Sequence, residues 1–137
     1  MKTRPEERDR GSVMPMTAVL ITFLMVGAWA LVSASQQWAV RRDAQGVAAA
    51  AARAGAQGDP TALRRGGVID TTAATVRAEA ILDIAGYSGV VAIDGDTVSV
   101  TVAASIDYAF PSPGFPGGVS ATAAAAAVRG VTGGEGG

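Results

Sequence analysis

With 137 residues the chain has room for one modest domain once an apolar N-terminal segment is set aside. It contains no Cys and no His, which excludes disulfide frameworks, thiol chemistry, Cys/His zinc sites and every triad that uses imidazole as base. The net charge of −1 combines a mixed leader, a basic stretch from Arg41 to Arg65 and an acidic remainder, and no basic stripe interleaves with aromatics, so nucleic-acid binding finds no support.

From Gly11 to Val40 no side chain is charged, and the densest part, Val13 to Val32, is twenty residues long. A helix of that length spans ~30 Å, the thickness of a bilayer's hydrocarbon core. Its only polar side chains are Thr17 and Thr22, whose hydroxyls can bond back to the backbone. Trp29 and Trp38 lie toward the C-terminal end, where amphipathic rings favour the interface, and Pro15 is expected in the first helical turn. Residues 13–35 are therefore read as a transmembrane helix behind a cytoplasmic leader, 1–12. Only the C-terminal part is large enough to be a domain, so the expected orientation is N-terminus inside, C-terminal domain extracytoplasmic. Ser33-Ala34-Ser35 also places small residues where a signal peptidase would cut before Gln36, giving the rival reading of a secreted binding module. The length of the apolar run argues against that cut, since it exceeds a signal peptide's ~7–15-residue core.

Residues 36–57 are Ala-rich and free of Pro, so the helix is expected to run on from the membrane into solvent. Ala44, Val47, Ala48, Ala51 and Gly55 fall on one face, opposite Arg42 and Arg53. Such small side chains let another backbone approach closely. The stripe can seat the chain's own domain, the expected use of its C-terminal half, or neighbouring subunits. Gly58-Asp59-Pro60 then stops the helix.

Residues 58–130 are expected to form a small domain. After a loop through Arg64-Arg65-Gly66-Gly67, Asp70 or Thr71 caps a second helix in which Val76, Ala80, Ile81 and Ile84 recur at helical spacing and which Gly86 ends. Glu79 and Asp83 share a face of it, but no second chemical group accompanies them, so they read as a solvated surface and not as an acid/base pair. Val90–Ile93 and Thr97–Val102 flank Asp94-Gly95-Asp96 as a hairpin. Whichever two residues form the turn, Val91 and Ile93 share a face with Val98, Val100 and Val102. Asp94 and Asp96 lack the remaining oxygens of a calcium loop and read as turn residues. Pro111 to Gly118 is a loop by composition, and Val119–Ala123 alternates as a third strand although Ala123–Ala127 has helical propensity. Residues 131–137 read as a flexible tail. The fold class is thus α+β, with a long N-terminal transmembrane helix, a second short helix and a small three-stranded antiparallel sheet. No residue set points to catalysis, to a cofactor or metal, or to a small-molecule substrate.

Arg10-Gly11-Ser12-Val13 opening the apolar run, Ala51-Ala52-Arg53-Ala54-Gly55-Ala56-Gln57 closing the helix, the hairpin Ala92 to Val102 and the ending Val119–Ala123 through Gly130 together resemble the actinobacterial TadE/TadG-like proteins of tight-adherence (Flp) pilus systems. The resemblance implies a pilin-like fold and a non-enzymatic, single-pass component of a pilus-assembly or related secretion system. It also implies partners among other subunits, met through the long helix. TadE-like pseudopilins are typically cut after a Gly, with Glu at the fifth mature position. A cut between Gly11 and Ser12 would put Met16 there, so the chain looks closer to the TadG-like members, which keep their leader.

Overall fold

The structure is a computed structural model, described here over residues 10–57, 66 and 68–127. Leader residues 1–9, the Gly58-Asp59-Pro60 stop, Arg64-Arg65, Gly67, residues 128–130 and the tail 131–137 lie outside the described residues. The order of elements is α1 (Arg10–Gln57), α2 (Thr71–Ala85), β1 (Ser88–Asp94), β2 (Thr97–Ser105) and β3 (Gly118–Ala126). This is the α+β arrangement expected: two helices, the first long and apolar, and one antiparallel sheet in the order β1-β2-β3.

Helix α1 is 48 residues in one piece, ~72 Å at 1.5 Å per residue. It begins at Arg10, earlier than the sequence suggested, so Pro15 lies inside the helix and not in its first turn. The Thr17 and Thr22 hydroxyls donate to the carbonyls of Val13 and Ala18, each at 2.9 Å, so neither presents a free donor to its surroundings.

Helix α2 starts where Asp70 accepts from the Ala73 backbone N–H at 3.1 Å, and Asp70, not Thr71, is the cap. It ends at Gly86, whose φ of 73° is the left-handed conformation that closes a helix cheaply only with glycine. The face it buries is not the one its large apolar residues mark. Ala74, Ala78 and Leu82 are inside, Ile81 is half-buried, and Val76, Ala80 and Ile84 face outward. The reason is distance. α2 packs against the Ala-rich part of α1, and a close approach between two helices selects methyl groups over branched chains.

The hairpin turn is Gly95-Asp96, because Asp94 pairs with Thr97. Gly95 supplies the positive φ of 60° that the first loop position of a tight hairpin requires. Val91 then faces Val100, and Ile93 faces Val98, as the alternation demanded. β3 continues to Ala126 despite its alanines, since pairing with β2 (Val98 with Ala125, Val100 with Ala123, Val102 with Ala121) outweighs helical propensity. Val98, Val100 and Val102 are fully buried, each contributing on the order of 1.5–3 kcal/mol from burial alone. Opposite them lie Ala44, Ala48, Ala51, Ala52 and Ala56 of α1 and the buried face of α2, forming one core.

Candidate functional site

Among the described residues the feature that stands out is α1 itself. Its surface changes character along its length. Every side chain from Val13 to Ala28 is exposed, among them Leu20, Ile21, Phe23 and Leu24 on different faces, so none of the described residues covers this stretch. By length and composition it can cross a membrane. A soluble core helix of the same composition would be buried by its own chain.

Beyond Ala28 one face is progressively covered. Trp29, Ser33 and Gln36 recur at helical spacing and meet the loop between β2 and β3. The Trp29 indole Nε1 donates to the Pro111 carbonyl at 3.2 Å, and its ring meets Phe115 edge-on with centroids 5.7 Å apart. Ser33 is only 2% exposed and its hydroxyl bonds that of Ser112 at 2.9 Å. The Gln36 Oε1 accepts from the Ala109 N–H at 3.4 Å. The loop is further held by Tyr108, whose hydroxyl donates to the Pro116 carbonyl at 2.9 Å and whose ring lies 6.0 Å from that of Phe115.

Further along, the expected stripe lies against the chain's own sheet and second helix. Ala44, Ala48 and Ala51 are fully buried, Gly55 is buried and Val47 is half-buried, with Ala52 and Ala56 widening the stripe. At Gly55 the approach is closest: a Cβ there would stand 3.0 Å from Val98 Cγ1 and 3.2 Å from the Ala74 carbonyl oxygen. Two polar ties flank the stripe. The Gln45 amide donates to the Thr122 carbonyl at 3.3 Å, and the Tyr87 hydroxyl donates to the Asp43 carboxylate. That hydrogen bond, then burial and the nearby negative charge of Asp43, holds the Tyr87 phenol above its usual pKa of 10.0. Arg42 and Arg53 are exposed, as are Glu79 and Asp83 on α2.

The processing positions also have places. Gly11 and Ser12 fall within the first turn of α1, while Ser35 and Gln36 lie in its unbroken middle, where the Ser35 hydroxyl donates to the Val32 carbonyl at 2.7 Å. Sequence reasoning missed Trp29, Ser33 and Gln36 as a contact face. The signal was present, because the spacing of the Ala44–Gly55 stripe extends backward through Val40 to these three residues. Asp94 ends β1 and Asp96 sits in the turn, where its carboxylate accepts from the Thr97 hydroxyl at 3.2 Å. Among the described residues no cluster of acidic side chains is arranged to hold a metal.

Fold and surface together define a class: an α+β head built on the C-terminal half of one long helix, whose N-terminal half is fit to sit in a bilayer. Residues 11–58 match the Flp pilus-assembly TadE/G-like family, a match that coincides with α1 almost end to end. The resemblance read from the residues is thus met by a family model over the long helix, residues 11–58 of 137, and the match does not extend to the head. Comparison with curated proteins and with solved structures gives no match.

Proposed function

We propose that this chain is a non-enzymatic, single-pass component of a tight-adherence (Flp) pilus-assembly or related secretion system, with its N-terminus cytoplasmic and its α+β head outside. The observation that carries the reading is the family match over residues 11–58, which falls on the very helix that has the length and composition to cross a membrane. The match spans Ser35 and Gln36, which speaks against a module released there. The leader stays attached, since Met16 stands where a processed pseudopilin would carry Glu and a lone buried carboxylate would be costly in lipid.

Other subunits are met on the exposed faces of α1 and not on Ala44, Ala48 or Ala51, which the chain covers itself. A photo-crosslinking residue at Ala50, Trp38 or Arg42, all exposed, is expected to capture another subunit of the assembly machinery in native membranes. Capture of none from all three positions refutes the reading. The mature N-terminus, read by mass spectrometry, is expected within the leader. A start at Ser12 would mean pseudopilin processing, and one at Gln36 would remove the anchor altogether.

A further inference from the structure

The loop between β2 and β3 was expected only to connect two strands, yet it travels a long way. Near the hairpin end of the sheet, Val98 packs against Gly55 of α1. From there β2 runs back along the helix toward its apolar half, and after Ser105 the chain meets Gln36 at Ala109, then Trp29 at Pro111, and turns back to Ser33 at Ser112. From Gly55 to Trp29 is 26 residues of α1, ~39 Å along the rod. The loop therefore reaches the last turn of the stretch, Val13 to Ala28, that none of the described residues covers.

Its chemistry fits that position. No side chain from Tyr108 to Val128 is charged, and the loop carries Phe110, Pro111, Pro113, Phe115 and Pro116. Phe110 is 60% exposed, although Tyr108, Ser112 and Phe115 hold the loop in place around it. An exposed aromatic ring on a loop tied to Trp29 and Ser33, where the helix itself becomes exposed and apolar, meets the same medium as that helix.

The loop also sets where that medium begins. Irregular backbone with open carbonyls does not enter lipid hydrocarbon, so the hydrocarbon edge cannot lie far past Trp29 toward the head. Counting back from Trp29 to the start of α1 at Arg10 gives 19 residues, ~28 Å, which matches a hydrocarbon core of about 30 Å. Trp29 then lies at the outer interface, where indole rings favour the headgroup level.

We propose that residues 108–117 form a second membrane-contacting element: the loop lies on the outer lipid interface beside α1, with Phe110 turned into the headgroup and upper acyl region. The proposal rests on α1 spanning the bilayer. The occupant is lipid, because the uncharged patch is continuous with a helix surface that is exposed on all sides and has the length and composition to cross a membrane.

The chain has no native cysteine, so single-cysteine variants of the full chain can carry an environment-sensitive fluorophore in phosphatidylcholine vesicles. Phe110→Cys and Ala109→Cys, the latter keeping the ring, report on the loop. Leu20→Cys reports on mid-membrane, and Ala126→Cys, at the far end of the sheet, on solvent. Fluorescence at 109 and 110 is expected to be lost to nitroxides at the headgroup or upper acyl chain, with Leu20→Cys quenched by deep nitroxides and Ala126→Cys by neither. Loop positions that behave like Ala126→Cys while Leu20→Cys is quenched overturn the proposal and leave the anchor standing. An unquenched Leu20→Cys overturns both. A blue-shifted loop signal that ignores lipid nitroxides but follows the protein-to-lipid ratio means a second copy covers the patch, and overturns it as well.

Discussion

Replacing Ala48 with Leu separates a stripe that seats the chain's own head from one left open for partners. Ala48 is fully buried, and so are its stripe neighbours Ala44, Ala51 and Ala52. An isobutyl group there must lift the sheet or α2 off α1, because packed interiors hold no spare volume of that size. Overpacking of this kind costs about 1–3 kcal/mol, a loss of about 5- to 150-fold in the folded-to-unfolded ratio of the head. Ala and Leu have nearly equal helix propensity, so the substitution leaves α1 itself almost unchanged. Ala50→Leu, at an exposed position two residues away, is the matched control and is expected to stay within about 0.5 kcal/mol. The assay is urea unfolding of the full chain in mild-detergent micelles, read by tryptic cleavage at Arg77, which is part-buried in α2 in the folded head. Equal midpoints for Ala48→Leu and Ala50→Leu would refute the seating of the head on this face.

Three further outcomes follow from the same core and its ties. Val100→Ala removes two methyl groups from a fully buried position and leaves a cavity, so it should lower the stability of the head by about 2–3 kcal/mol in the same assay, whereas Val90→Ala, at an exposed position, should do little. Gly89→Ala places a Cβ 2.7 Å from the Thr101 carbonyl oxygen, a backbone atom of the central strand that cannot swing aside, and should cost about 1–3 kcal/mol. Tyr87 has a raised pKa, so the stability drawn from its bond to Asp43 is complete below its ordinary pKa of 10.0 and is lost as pH rises through the raised value. In a Tyr108→Phe background, alkaline difference spectroscopy should show the remaining phenol titrating later than a free tyrosine. Asp43→Asn should move that titration earlier, and no movement would mean the tie is absent.

Much of the fold was legible because its signals were local. The absence of charge from Gly11 to Val40 announced the membrane stretch, the left-handed Gly86 ended α2, and Asp94-Gly95-Asp96 with its flanking valines announced the hairpin. The buried face of α2 is not the one its large apolar residues mark, for a physical reason. Hydrophobicity points to Val76 and Ile84, but the close approach to α1 is decided by size and so selects Ala74 and Ala78. The descent of the 106–117 loop was not legible at all. Proline and glycine mark where a chain leaves its strand without stating where it goes, and Trp29 and Ser33 find their partners more than 75 positions away in sequence.

Pro15 is the only proline in α1, and it lies on the far side of the membrane stretch from the head. Proline is the commonest cause of a sharp bend in a helix, so between bilayer and sheet that cause is missing. A shaft built this way behaves as an axle. A twist applied to the sheet turns the helix in its lipid, and a sideways pull on the head arrives at the membrane as tilt. Any partner that grips the head therefore has mechanical leverage over the anchor, with an arm as long as the Ala-rich segment.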